Sequence, residues 1–151
     1  METTLQAKLA HYAESHRDRR NVIIHCICVP AIVFAVIGLL MALNILVAIA
    51  AMIVATVYYA RIDPDRAVGI RAAATMAVMM VAMLVVWLVL VPPGERLAAA
   101  VAIFVLAWIG QFVGHHLEGR KPSFFDDLRY LLVGPLFVAH ELTPSRKAAW
   151  R

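Results

Sequence analysis

The chain carries six histidines, and three of them follow a polar residue by one helical turn: Tyr12–His16, Asn21–His25 and Gln111–His115. Glu118 comes three positions after His115. On a helix, residues three or four apart lie one above the other on the same face. Polar rings in apolar surroundings are costly unless something compensates them, and a metal ion is one such partner. A metal-bound imidazole usually has its second nitrogen held by a group that fixes tautomer and ring direction. Tyr12, Asn21 and Gln111 are spaced to be those orienting groups, and Glu118 to be a ligand or to orient one. His16, His25 and His115 are the leading ligand candidates, with His116, Glu118 or His140 for a fourth position. The plainer reading makes each of them a packing or headgroup-facing residue. His11 then faces solvent, and His116 merely neighbours His115, ~100° further round the helix. Cys26 and Cys28 in "HCIC" diverge on a helix and read as apolar packing rather than soft-metal ligands. Beside a cytoplasmic face they imply no disulfide.

Residues so far apart in sequence need elements that bring them together, and the composition says in which medium. Of the 151 residues, 63% are hydrophobic, with a mean hydropathy of +0.80; a soluble domain lies nearer ~45–50%. Charge is confined to short stretches between long uncharged segments, the pattern of a helical membrane protein. Residues 1–20 are polar, and the apolar run after them exceeds a signal-peptide core of roughly 7–15 residues. All 151 residues are therefore expected in the mature protein. Phosphate-binding loops, nucleophile elbows and HExxH zinc motifs are absent from the sequence.

The expected fold is all-α: a polytopic membrane helical bundle, one membrane-embedded domain over residues 1–151. Val22 to Ala60 is uncharged, long enough for two crossings of ~20 residues divided by a tight turn at Asn44. The spacing predicts spans at about 21–42, 45–61, 70–91 and 96–117, the third ending at "VPPGER". An amphipathic segment at 4–17 precedes them, with Asn21 as N-cap of the first span. A stretch at 124–142, interrupted by Gly134-Pro135, reads as an interfacial or re-entrant helix. Trp87, Trp108 and Trp150 sit near span ends as interface anchors would. The methionines of "MAVMMVAM" read as lipid-facing or gap-filling. Four crossings put thirteen of the fourteen Lys and Arg residues on one side, with Arg96 at the margin of the other. By the positive-inside rule both termini and the histidines are cytoplasmic. Topology thus accounts for the net charge of +4, and no nucleic-acid partner is implied.

Two blocks carry a family resemblance. "YAESHRDRRNVIIHCICVP" fits Tyr-x3-His-x4-Asn-x3-His-x4-Pro, and "WIGQFVGHHLEGRKPS" fits Trp-x2-Gln-Phe-x-Gly-His-x2-Glu-Gly-x-Lys-Pro-Ser, followed by Gly-Pro and a late Glu141. The chain resembles the membrane 2-hydroxy-fatty-acid dioxygenases of the yeast alpha-oxidation type, most of all their bacterial members, with Cys28 where a small glycine is expected. The resemblance implies an iron(II)-dependent dioxygenase in the bacterial inner membrane. It implies 2-hydroxy fatty acid and O2 as substrates, and a fatty acid one carbon shorter as product. The family's histidines fall on His16, His25 and His115, and its other polar positions on Tyr12, Asn21, Gln111, Glu118 and Glu141. Imidazole suits ferrous iron, and a 2-hydroxy acid can chelate through carboxylate and hydroxyl. Arg17, Arg19, Arg20, Arg120 and Lys121 are spaced to attract that carboxylate, or to serve as ordinary flanking charge. Two rival readings remain. One is a haem-binding electron carrier with His25 and His115 as axial ligands; the other is a transporter with a His/Glu relay. Neither oligomeric state nor substrate chain length is legible.

Overall fold

A computed structural model describes residues 4–121 and 129–142. Every described element is helical: α1 (Leu5–Glu14), α2 (Arg19–Leu43), α3 (Ile45–Ala60), α4 (Arg66–Leu90), a short 3-10 turn (Pro93–Glu95), α5 (Arg96–Glu118) and α6 (Tyr130–Leu142). Positions 124–128 of the expected last helix lie outside the described residues.

Short polar residues set the boundaries. Thr4 caps α1, Asp65 caps α4 by accepting the Ala67 N–H at 2.8 Å, and Asn44 caps α3 by accepting the Leu46 N–H at 2.8 Å. Asn44 also terminates α2 in an extended conformation, so one residue makes the whole turn between two helices. The N-cap of α2 is Asp18 rather than Asn21: its carboxylate takes the Arg20 N–H at 2.8 Å. Asn21 is instead fully buried inside the helix. Gly119, at φ 69°, ends α5 in the left-handed region that favours glycine.

Three helices are long and apolar enough to cross a membrane: Arg19–Leu43, Arg66–Leu90 and the stretch Pro93–Glu118. α3 has 16 residues, which at ~1.5 Å per residue rises about 24 Å, short of a ~30 Å hydrocarbon core. α6, with 13 residues, is shorter still and is packed on the bundle, with Val133 through Val138 all buried.

The most extensive packing is between α2 and α5, which run antiparallel. Glycines on α5 permit it. A side chain at Gly114 would collide with the Asn21 carboxamide, and one at Gly110 with Cys28 Sγ. Small residues let helix backbones approach in lipid, where there is no hydrophobic force between them. The sulfur of Cys28 therefore fits because the facing residue has none of its own bulk. Trp87 is not an interface anchor. It is fully buried, lies over Gly38, stacks on Phe34 at 4.5 Å and donates its indole N–H to the Phe34 carbonyl at 2.7 Å. Met76 and Met80 are buried and Met79 and Met83 pack against the same core, so the methionines fill gaps.

α1 lies against the α3–α4 loop. The Leu5 N–H donates to Asp63 at 2.6 Å, and Lys8 Nζ donates to the Ile62 carbonyl at 3.2 Å. α6 covers the same end, where the Tyr59 hydroxyl donates to the Leu132 carbonyl at 2.8 Å. The chain's first and last described helices thus close one end of the bundle.

Candidate metal centre

His16 sits on the α1–α2 turn, His25 nearly two turns into α2, and His115 in the last turn of α5. Antiparallel packing of α2 and α5 puts the last two side by side, with Nε2 atoms 3.2 Å apart. The His16 ring closes the third side, 4.3 Å from His25 and 5.0 Å from His115 between centroids. All three pairs meet edge-to-face. The three offer ligand nitrogens within 4.8 Å of one another, and the residues are only 5%, 1% and 5% exposed.

The tautomers of two of them follow from their partners. His16 Nδ1 is 2.6 Å from the Tyr12 carbonyl, and His25 Nδ1 is 3.0 Å from the Asn21 carbonyl. A carbonyl only accepts, so each Nδ1 carries a proton and each neutral ring turns a bare Nε2 lone pair inward. His16 Nε2 is buried with no hydrogen-bond partner. The donor set fits a metal: two nitrogens sharing one ion at ~2.1 Å lie about 3.0–3.4 Å apart for octahedral or tetrahedral angles, and the observed pair is at 3.2 Å.

Of the three candidate orienting residues, two contact the following histidine, and they do so through the backbone. Tyr12 and Asn21 hold His16 and His25 with backbone carbonyls. The Tyr12 ring stacks on His16 at 4.1 Å, and burial pushes its phenol above the ordinary value, so it stays protonated. The Asn21 side chain donates to the Ser15 carbonyl at 3.2 Å and to Glu118 at 3.1 Å. Gln111 makes no such bond to His115. It is 6% exposed and its amide nitrogen has no hydrogen-bond partner.

Glu118 is a clamp across the α1–α2 turn. Its two oxygens accept the Arg17 N–H at 2.9 Å and the Asp18 N–H at 2.8 Å, besides the Asn21 amide. It stands outside the three-histidine group. So does His116, which is exposed on another face of α5. His140 lies beside Glu141, 3.7 Å away, and is likewise outside the group. His11 does not simply face solvent but stacks on Tyr130 at 5.0 Å. Of the cationic residues proposed at the mouth, Arg20 is paired with Asp18 at 2.8 Å. Sequence reasoning missed Phe137, which packs against both Tyr12 and His16 at 5.0 and 5.4 Å. Its position one turn after Gly134-Pro135, on a helix too short to cross, was the available signal.

A cavity of about 380 Å³ opens from this centre into the bundle. Tyr12, Gln111 and His115 stand at one end, and the remaining wall is almost wholly apolar side chains of α2, α3, α4 and α5, roofed by α6.

These features define an all-α membrane protein whose buried end holds three converging imidazoles able to take a metal ion. The sequence pattern of the family described as 2-hydroxy-palmitic acid dioxygenase Mpo1-like matches residues 2–61 and 66–146, and the chain belongs to that family. It is similar to 2-hydroxy-palmitic acid dioxygenase MPO1 of Saccharomyces cerevisiae (strain ATCC 204508 / S288c), with 28% identity over 144 residues, 91% of this chain and 78% of that protein. No solved structure matches the chain.

Proposed function

We propose that the protein is an iron(II)-dependent dioxygenase that converts a 2-hydroxy fatty acid and O2 into the fatty acid one carbon shorter. The observation that carries this reading is the convergence of the His16, His25 and His115 rings at the polar end of an apolar cavity, with Nε2 of His16 and His25 left bare by their Nδ1 partners. In this reading the three imidazoles hold the metal, with the Tyr12 and Asn21 carbonyls fixing two of the rings. Ferrous iron, when bound, supplies the positions at which a 2-hydroxy acid and O2 meet. The overall change, R–CH(OH)–COOH + O2 giving R–COOH + CO2 + H2O, balances without an external reductant. Tyr12, Phe137 and the apolar wall keep bulk water from the centre, and Gln111 offers an unused amide N–H to the ligand's polar end. Glu118 latches the turn that carries His16.

Two observations weigh against the rivals. Axial haem ligands stand on opposite faces of the iron, ~4 Å apart at ~2.0 Å each, whereas His25 and His115 meet edge-on at 3.2 Å. A relay across the membrane needs polar groups at depth. Thr56 instead donates to its own helix at Met52, and Tyr59 to Leu132. We further propose that α3 serves as a fourth crossing. Residues 1–20, 61–71 and the segment after α5 then share the cytoplasmic side of a bacterial inner membrane, as their Lys and Arg excess favours. The contact of Lys8 with the 61–65 loop accords with this.

The test uses protein purified anaerobically and given iron(II), 2-hydroxypalmitate and then oxygen. Pentadecanoate should form with wild type and fall at least a hundredfold in His16→Ala, His25→Ala and His115→Ala. Wild type that forms none, or variants that form as much, would refute the reading.

A further inference from the structure

The cavity has a polar top and a long apolar shaft, and depth along it can be read from helix rise. Val36 and Leu40 line it on α2, 11 and 15 positions below His25, which is roughly 16 and 22 Å at ~1.5 Å per residue. Phe104 lines it on α5, 11 positions before His115 and so at a similar depth of ~16 Å. α3 returns from the Asn44 turn and brings Ala51 and Ala55 to these depths, and Met80 contributes from α4. Large side chains line α2, α4 and α5 here, while α3 presents the methyl groups of Ala51 and Ala55 beside the longer Met52. Ala51 and Ala55 are thus the smallest side chains on this part of the described wall, and a bulkier group at either position would enter the shaft.

We propose that this shaft receives the acyl chain of a single-chain amphiphile head-up, with Ala51 and Ala55 setting how long a chain fits. The orientation is set by the polar groups gathered at the upper end of the described lining, Gln111 and His115 foremost. The Gln111 amide, 94% buried by its 6% exposure and lacking a partner, is satisfied only by a ligand's oxygen. His115 stands one turn above it. Among the described residues, the lining at the other end is apolar and holds no group that would stabilise a charged head. A methyl terminus belongs beside Leu40 and Ala51, where each buried methylene adds a factor of about 4 in affinity. Filling either alanine position with a bulkier side chain shortens the shaft, and emptying Leu40 lengthens it. This rests on the reading of the site as one for 2-hydroxy fatty acids.

Two readouts test it on the full-length protein in lipid nanodiscs. The first is the ratio of kcat/KM for 2-hydroxystearate to that for 2-hydroxydecanoate. Ala51→Phe and Ala55→Phe should lower the ratio by at least tenfold, the equivalent of about two excluded methylenes. Leu40→Ala should raise it severalfold. Retained turnover of the short acid shows that the variants fold. The second readout does not need turnover: a 2-hydroxypalmitate bearing a terminal diazirine is photolysed on the protein and the labelled residues are mapped. Label on Leu40, Ala51 or Phe104 supports the proposal. Label confined to outward-facing residues such as Leu106 or Val54 overturns it, as does an unchanged ratio in all three variants. Wild type that forms no product but labels the shaft would refute the reaction while leaving the binding site standing.

Discussion

Removing the carboxylate of Glu118 should cost metal affinity before it costs fold. Three donors converge on it, the backbone N–H groups of Arg17 and Asp18 and the side-chain amide of Asn21, at 2.8–3.1 Å. A hydrogen bond to a charged acceptor contributes ~1.5–3 kcal/mol when buried. Glu118 stands at a half-exposed rim, so about 1 kcal/mol each is the appropriate scale, and Glu118→Ala should lose about 3 kcal/mol. Most of that falls on the turn that carries His16, while His25 and His115 stay seated in their helices. Losing a supporting contact of this kind lowers metal affinity by ~10–100-fold. Glu118→Gln keeps one acceptor oxygen but sets an NH2 against a backbone N–H, so it should fall between wild type and alanine. The assay is iron(II) or cobalt(II) titration in nanodiscs alongside a thermal melt, with the exposed Glu14→Ala as control. Glu118→Ala with wild-type metal affinity would refute the clamp. Unchanged affinity and melt with turnover abolished would instead make Glu118 a reacting group.

Two further outcomes follow from the same geometry. Burial holds the His16 imidazole below its ordinary value of 6.5, against the raising influence of the Tyr12 carbonyl and Glu118. The unfolded or metal-free chain therefore takes the proton first as pH falls. Stability and bound metal should be full above pH ~6.5 and decline progressively below it, as measured by metal content after equilibration; a gain on acidification would contradict this. Gly110→Ala should destabilise by about 1–3 kcal/mol through overlap with Cys28 Sγ. Cys28→Ala in the same chain should restore most of the loss, and a melt in which the double variant is no better than the single would exclude that contact.

The side-chain pattern revealed the helices and the three ligand candidates because each rests on local spacing. Asn44 and the breaks at Pro64 and Pro92 fall where the turns are. What the sequence hid is what depends on backbone atoms or on several helices at once. The orienting atoms of Tyr12 and Asn21 are main-chain carbonyls, which no residue type advertises. Asp18 and Asn21 are both good cap residues, and only packing against Gly114 shows that Asn21 is needed inside. His116 neighbours His115 in sequence, yet it is exposed on the side of the helix that turns away from α2. Trp87 near a span end reads as an anchor until Gly38 and Phe34 are seen to make its slot. The cavity wall draws on six helices, and no stretch of sequence contains it.

The separation of 90 positions between His25 and His115 also fixes when the centre can exist during synthesis. At ~5–20 residues per second, a ribosome needs roughly 5–20 s to go from the second ligand to the third. Until α5 has entered the bilayer and docked on α2, the nascent chain has only two imidazoles near one another. A site that needs all three imidazoles is thus complete only in the docked bundle, and if it takes the proposed iron, a chain stalled midway is left without the redox-active ion that would oxidise its own cysteines and methionines.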